Sequence, residues 1–321
     1  MKYKIALAIA SLSVSLFSNS IWAWGRRGHS IIGETAGQVV AKHSTTPFLR
    51  NHAYDLGYYC NVPDFIWKRP ATYDIERTNH FMNLEIFQRS FAMLADKKAP
   101  FLLSREEFAK EYPEVPISAG RIYWRIQELL AMLDATSDEI RALKDKPDSN
   151  AEQRKLQEKW IVVAGVMGHY IGDLGMPLHV SENYDGQLTG QKGLHSHFEE
   201  LLVDELFPSI SMDVHKEAMK QWPAFTKKNG GKPIFDLVHD LAEESLKTVP
   251  EMLAIDKKVG RKNIKKSAEA YRAMIRRRMV AASLVLGEIY RRGSRGWTFD
   301  DHRFYFIAGE PEYIYPPGSQ K

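Results

Sequence analysis

The chain has 321 residues, with 44 Lys and Arg set against 40 Asp and Glu. That balance excludes a basic coat protein and a long acidic tail, and 44% hydrophobic with 26% charged residues excludes a disordered chain. A single cysteine, Cys60, excludes an internal disulfide and any cysteine-based zinc finger, so the eleven His are the main supply of metal or acid–base chemistry.

In chain order, Lys2 and Lys4 precede a short apolar run over 5–17 and a small-residue tail over 18–23. The pattern predicts a secretory signal over 1–23, cut after Ala23, and it is too short to span a membrane. Residues 24–321 are then one domain that begins at Trp24, and the expected location is the periplasm or the medium. Helical spacing of apolar residues follows over 30–42 and over 117–143, where Ile122, Ile126, Leu129, Leu130 and Leu133 share a face. The segment 142–158 is charged, holds Pro147 and reads as an exposed loop or a fraying helix end. Residues 156–172 are apolar nearly all round and predict a buried central helix. A Gly-rich surface loop is expected over 181–193, and helices over 198–206, 234–247 and 267–291. Alternating strand patterns are scarce, so the expected fold is all-α, a single multi-helix domain. The aromatic, turn-rich tail after Arg292 is expected to pack across its surface.

His169 and Asp173 are four apart on the predicted central helix and therefore share a face. His179 follows the Gly175-Met176-Pro177 stop, and His195 and Glu199 repeat the four-residue spacing. One such pair is usually a solvated helix face. Two pairs and a further His around one loop point to metal, because imidazole and carboxylate suit zinc. Cleavage before Trp24 would add an α-amino group that gives up its proton readily near neutral pH, next to Gly25-Arg26-Arg27-Gly28-His29.

In these ordered motifs the sequence resembles the trinuclear zinc enzymes that include the single-strand nucleases and bacterial zinc phospholipase C. Trp24 and His29 match the N-terminal pair. Asp64 in Asn61-Val62-Pro63-Asp64 and His80 in Asn79-His80-Phe81-Met82-Asn83 match the next two ligand positions. His169, Asp173 and His179, with Pro177-Leu178 before the last, form the most specific motif, and His195 and Glu199 complete the set. The resemblance implies a metal cluster at the bottom of a cleft and three Zn2+ per chain. Asp64, His80, His169 and Asp173 would hold one, Trp24 and His29 with bridging Asp173 a second, and His179, His195 and Glu199 a third. It also implies hydrolysis of a phosphodiester, with Asp64 orienting the attacking water and no Ser or Cys nucleophile. Zinc would replace disulfides as the cross-link, and Cys60 is expected to be a packing residue.

The resemblance leaves the substrate divided. For single-stranded DNA or RNA cut to 5′-phosphates, Phe81 is the expected base-stacking residue and Asn83 a base-binding amide. The Arg that the nucleases tend to carry three residues after Asp64 is replaced by Trp67, which leaves Lys68 or Arg69 to reach a phosphate, and Lys68 is a candidate catalytic residue. For a phospholipase C acting on phosphatidylcholine-type headgroups at a membrane surface, Glu199 and the stretch 193–204 are the closer match, and Phe65, Trp67 and Tyr184 are candidates for a cation cage. The N-terminal spacing favours the nuclease. A non-catalytic zinc-binding protein is the third reading, disfavoured because these sites leave open coordination positions.

Overall fold

The computed structural model describes residues 24–43, 48–143, 150–297 and 310–319, and the segment read as a signal, 1–23, lies outside them. Among the described residues every regular element is helical, and the single bridge between Met82 and Gly120 does not extend to a strand. Six long helices make the frame: α1 (Gly25–His43), α2 (Ile122–Ala142), α3 (Asn150–Gly175), α4 (Ser209–Asn229), α5 (Ile234–Val259) and α6 (Ile264–Gly293). None of the described helices is long and apolar enough to cross a membrane.

α3 is the axis of the fold. From Trp160 to Gly175 every residue but Val162 is buried, as its all-round apolar sequence requires. α1, α2, α6 and the short helix Ala53–Tyr59 pack around it, and α4 and α5 close against α6. α1 comes close to α3 where Gly172 lacks a side chain: a Cβ there would stand 2.9 Å from His29 Nδ1. That close approach lets a side chain of α1 reach the carboxylate next to Gly172.

The expected helix over 117–143 is corrected to Ile122–Ala142. Only a single 3-10 turn, Ile117–Ala119, precedes it, and Gly120 then breaks the chain at φ 94°. The break lets segment 78–83 lie against this turn: Asn83 N donates to Ala119 O at 2.8 Å, and Arg121 N donates to Thr78 O at 2.6 Å. The central helix runs beyond 156–172 to Asn150–Gly175, so 150–158 is helix and not loop, while 144–149 lies outside the described residues. α5 and α6 likewise extend past their expected ends at 247 and 291. α4 has no counterpart among the expected helices. Pro223 in α4 and Pro250 in α5 both lie on exposed faces, where water can take the carbonyl each proline frees.

The described part of the tail packs across the surface as expected. Tyr313 stands edge-on to Trp67, with ring centroids 5.2 Å apart, and Trp67 Nε1 donates to Pro311 O at 3.0 Å.

Candidate metal centre

The end of α3 carries His169 and Asp173 on one face, both fully buried. Around them the fold brings His29 from the first turns of α1, Asp64 from the π-helical turn Pro63–Trp67, His80 from the 3-10 turn Thr78–His80, and His179 from Pro177–Val180. His195 and Glu199 come from the short helical run that follows Gly193. All eight side chains are buried.

Three sets of donor atoms each lie within 4.8 Å of one another: His29, Asp64 and His169; His80, His169 and Asp173; His179, His195 and Glu199. The third set is the one expected. The first two share His169 and run together, because Asp173 faces both. Its Oδ2 lies 3.1 Å from His80 Nδ1 and 3.3 Å from His169 Nε2, and its Oδ1 lies 3.4 Å from His29 Nε2. Asp64 Oδ1 completes this side, 3.6 Å from His80 Nδ1 and 3.7 Å from His169 Nε2. The Trp24 backbone nitrogen is 3.2 Å from Glu199 Oε2, beside the third set. Its indole is buried and donates to Gly172 O at 2.7 Å.

The outer nitrogens of the rings decide what the inner ones can do. His169 Nδ1 is 2.7 Å from Cys60 O, His179 Nδ1 2.5 Å from His80 O, and His195 Nδ1 2.6 Å from Tyr184 O. A carbonyl only accepts, so each of these nitrogens carries its proton outward and each Nε2 turns a lone pair inward. On the other side His80 Nε2 faces a carboxylate, 3.1 Å from Glu76 Oε1. The inward nitrogens converge: His169 Nε2 and His80 Nδ1 are 2.9 Å apart, and His195 Nε2 and His179 Nε2 are 3.0 Å apart. Carboxylate atoms Asp64 Oδ2, Asp173 Oδ1 and Glu199 Oε1 are buried there without a hydrogen-bond partner. Buried acceptors facing acceptors are costly unless a cation lies between them. The donor set therefore fits metal ions, and these groups could hold them.

Charge states agree with this geometry. Burial, with Lys68 nearby, holds His80 well below the ordinary histidine value, and burial with His80 does the same to His169, so both rings are neutral and ligand-ready. Burial also holds His179 down, while Glu199 overcomes burial at His195 and pushes it up. Burial and the Asp64 charge push Asp173 well above the carboxylate range. Burial pushes Asp64 up too, but the Lys68 ammonium, with His80 and His29, outweighs it and keeps Asp64 below its ordinary value. Lys68 Nζ lies 2.5 Å from Asp64 Oδ1. Arg69, the other cation expected to reach the site, is bound to Glu310 instead.

Two groups stand outside the sequence expectation. Glu76 is fully buried and is bonded by the Tyr170 hydroxyl, by Tyr313 Oη at 2.8 Å and by Asn79 Nδ2 at 3.3 Å, and it orients His80. The spacing Glu76-x-x-x-His80 was its signal, the same four-residue step as His169 to Asp173. Asp256 pairs with Arg261 at 2.7 Å, and both bind the 191–192 end of the loop that leads into His195.

Of the substrate candidates, Phe81 is half-buried, and Asn83 is buried with its Nδ2 on Ser118 O at 3.4 Å. Phe65 and Tyr184 are 43% and 44% exposed, but Trp67 is 2% exposed and packed against Arg125 and Tyr313, which removes it from any cation cage. Cys60 is buried as a packing residue.

No protein-family model matches the chain, and neither a curated protein nor a solved structure is significantly similar to it.

Proposed function

We propose that this chain is an exported zinc-dependent phosphodiesterase, a nuclease that hydrolyses single-stranded DNA or RNA to 5′-phosphate products and holds three zinc ions. The supporting observation is the convergence of inward lone pairs and buried carboxylates at the end of α3, with the outer ring nitrogens committed to carbonyls. His80, His169, Asp64 and Asp173 form one ligand set, with Asp173 turning its second oxygen to His29. His179, His195 and Glu199 form another, and the Trp24 amino group, free once residues 1–23 are removed, would join His29 and the second Asp173 oxygen at the remaining ion.

When bound, the cations supply an activated water and neutralise charge on the phosphoryl oxygens. The protein side chains do the rest. Asp64 is held ionised by Lys68, and its Oδ2 is buried without a hydrogen-bond partner, so it can accept a hydrogen bond from the attacking water and orient it. The Lys68 ammonium is a point charge at the same place and can bind a phosphoryl oxygen. Glu76 and the Cys60, His80 and Tyr184 carbonyls fix the four rings that face inward.

A phospholipase C reading is favoured by Glu199 and by the half-exposed rings of Phe65 and Tyr184. Burial of Trp67 leaves it a poorer cation cage. Assays of the zinc-loaded chain beginning at Trp24 on single-stranded DNA, RNA and phosphatidylcholine separate the two. The proposal expects cleavage of both nucleic acids; hydrolysis of the lipid alone would overturn it.

A further inference from the structure

Arg26 lies in the first turn of α1, two residues from the Trp24 nitrogen that enters the cluster. Its guanidinium carbon sits 5.2 Å from the centroid of Phe65, the residue after Asp64. The pair thus joins the two chain segments that carry Trp24, His29 and Asp64, at their solvent-facing side, where Arg26 is exposed and Phe65 43% exposed.

The charge of Arg26 is uncompensated. Four basic neighbours on these segments are matched to a carboxylate: Arg27 to Asp204 at 3.2 Å, Lys68 to Asp64 at 2.5 Å, Arg69 to Glu310, and Arg89 to Glu182 at 2.6 Å. Arg26 makes no ion pair among the described residues, and it lies over the Phe65 ring. A guanidinium lying on an aromatic face is fixed in plane and keeps its N–H edge free, and that edge matches two oxygens of a phosphate. The same face is the one a quaternary ammonium would use, and a resident cation repels it.

Resting on the nuclease reading, we infer that Arg26, held on Phe65, is the residue that selects a strand of several phosphates over a choline headgroup. It binds a phosphate neighbouring the scissile one and closes the Phe65 face to cationic headgroups. It takes no part in the bond-breaking step.

The test compares wild type and Arg26→Ala, both zinc-loaded, on a short single-stranded oligonucleotide, on bis(nitrophenyl) phosphate, which has one phosphate only, and on phosphatidylcholine vesicles. Loss of one charge-assisted contact predicts a fall of about ten- to a hundredfold in kcat/KM on the oligonucleotide, carried by KM. The slope of log KM against log salt should flatten by about 0.7, the share of one single-strand phosphate contact. Activity on bis(nitrophenyl) phosphate and zinc content should not change. Equal loss on both small and large substrates overturns the inference, because Arg26 would then act through the metal centre or the fold. Oligonucleotide cleavage that is unchanged in the variant also overturns it, and leaves the nuclease reading standing. A wild type that hydrolyses the vesicles and spares the oligonucleotide overturns the nuclease reading itself, and this inference with it.

Discussion

Asp173→Asn probes the site most sharply, because one carboxylate faces two sets of ligands. With zinc present, the variant should lose both cations served by Asp173 and keep the one at His179, His195 and Glu199. At zinc a hundredfold above Kd, each filled site contributes about 2.7 kcal/mol to stability, so two lost sites cost about 5 kcal/mol. For a domain of about 300 residues that lowers Tm by about 8–9 °C. Without zinc the sign reverses. Asp173 is then a buried carboxylate pushed up by burial and by Asp64, and the amide removes that penalty, a gain of about 1–3 kcal/mol. A raised folded pKa contributes stability only below the unfolded value of 3.8, and that contribution is lost as pH rises through the raised value. The advantage of Asn in the stripped protein should therefore grow as pH rises above 3.8 and vanish below it. Thermal melts of both proteins, in zinc and in chelator, read the crossing directly. A variant destabilised by the same amount in both conditions would refute the bridging role of Asp173.

Three further substitutions test separate parts of the site. Glu76→Gln should weaken metal binding about ten- to a hundredfold by freeing the His80 ring, measured by competition with a chromophoric chelator; unchanged affinity contradicts its orienting role. Lys68→Met should lower kcat about a hundredfold while zinc content stays the same, since Asp64 loses its cation; loss of zinc in parallel would make Lys68 structural. Gly120→Ala places a Cβ 2.0 Å from Phe81 O at φ 94°, and should cost at least about 2 kcal/mol in urea unfolding; an unshifted midpoint would show that the 78–83 segment does not depend on this turn.

The candidate metal ligands on the two His-x-x-x-carboxylate pairs were legible because they are short-range patterns, whereas Asp64 and His80 were expected only from the resemblance. His169 and Asp173, or His195 and Glu199, declare a shared face by spacing alone, and the helical backbone places them as the spacing requires. What joins the sets was not legible. The 2.9 Å approach of His169 to His80 depends on segment 78–83 being held by the Gly120 turn and on Met82 N donating to His179 O, both long-range contacts. Glu76 carried the same four-residue signal as the other pairs but only gains meaning beside Tyr170 and Tyr313, which are distant in sequence. The all-helical class followed from periodicity, yet α4 and the C-terminal end of α5 were obscured by Pro223 and Pro250, since a proline reads as a stop unless its exposed position is known. Lys68 was one of two candidate cations, and the π-helical turn Pro63–Trp67 decides between them by carrying residue 68 back over Asp64.

The central claim is a three-metal cluster that includes the new amino terminus. Metal analysis of the chain beginning at Trp24, beside the same chain with one residue added before Trp24, tests it most directly. The expected result is three zinc ions per chain in the first and two in the second. One ion or none in the first, or the same number in both, would contradict the account.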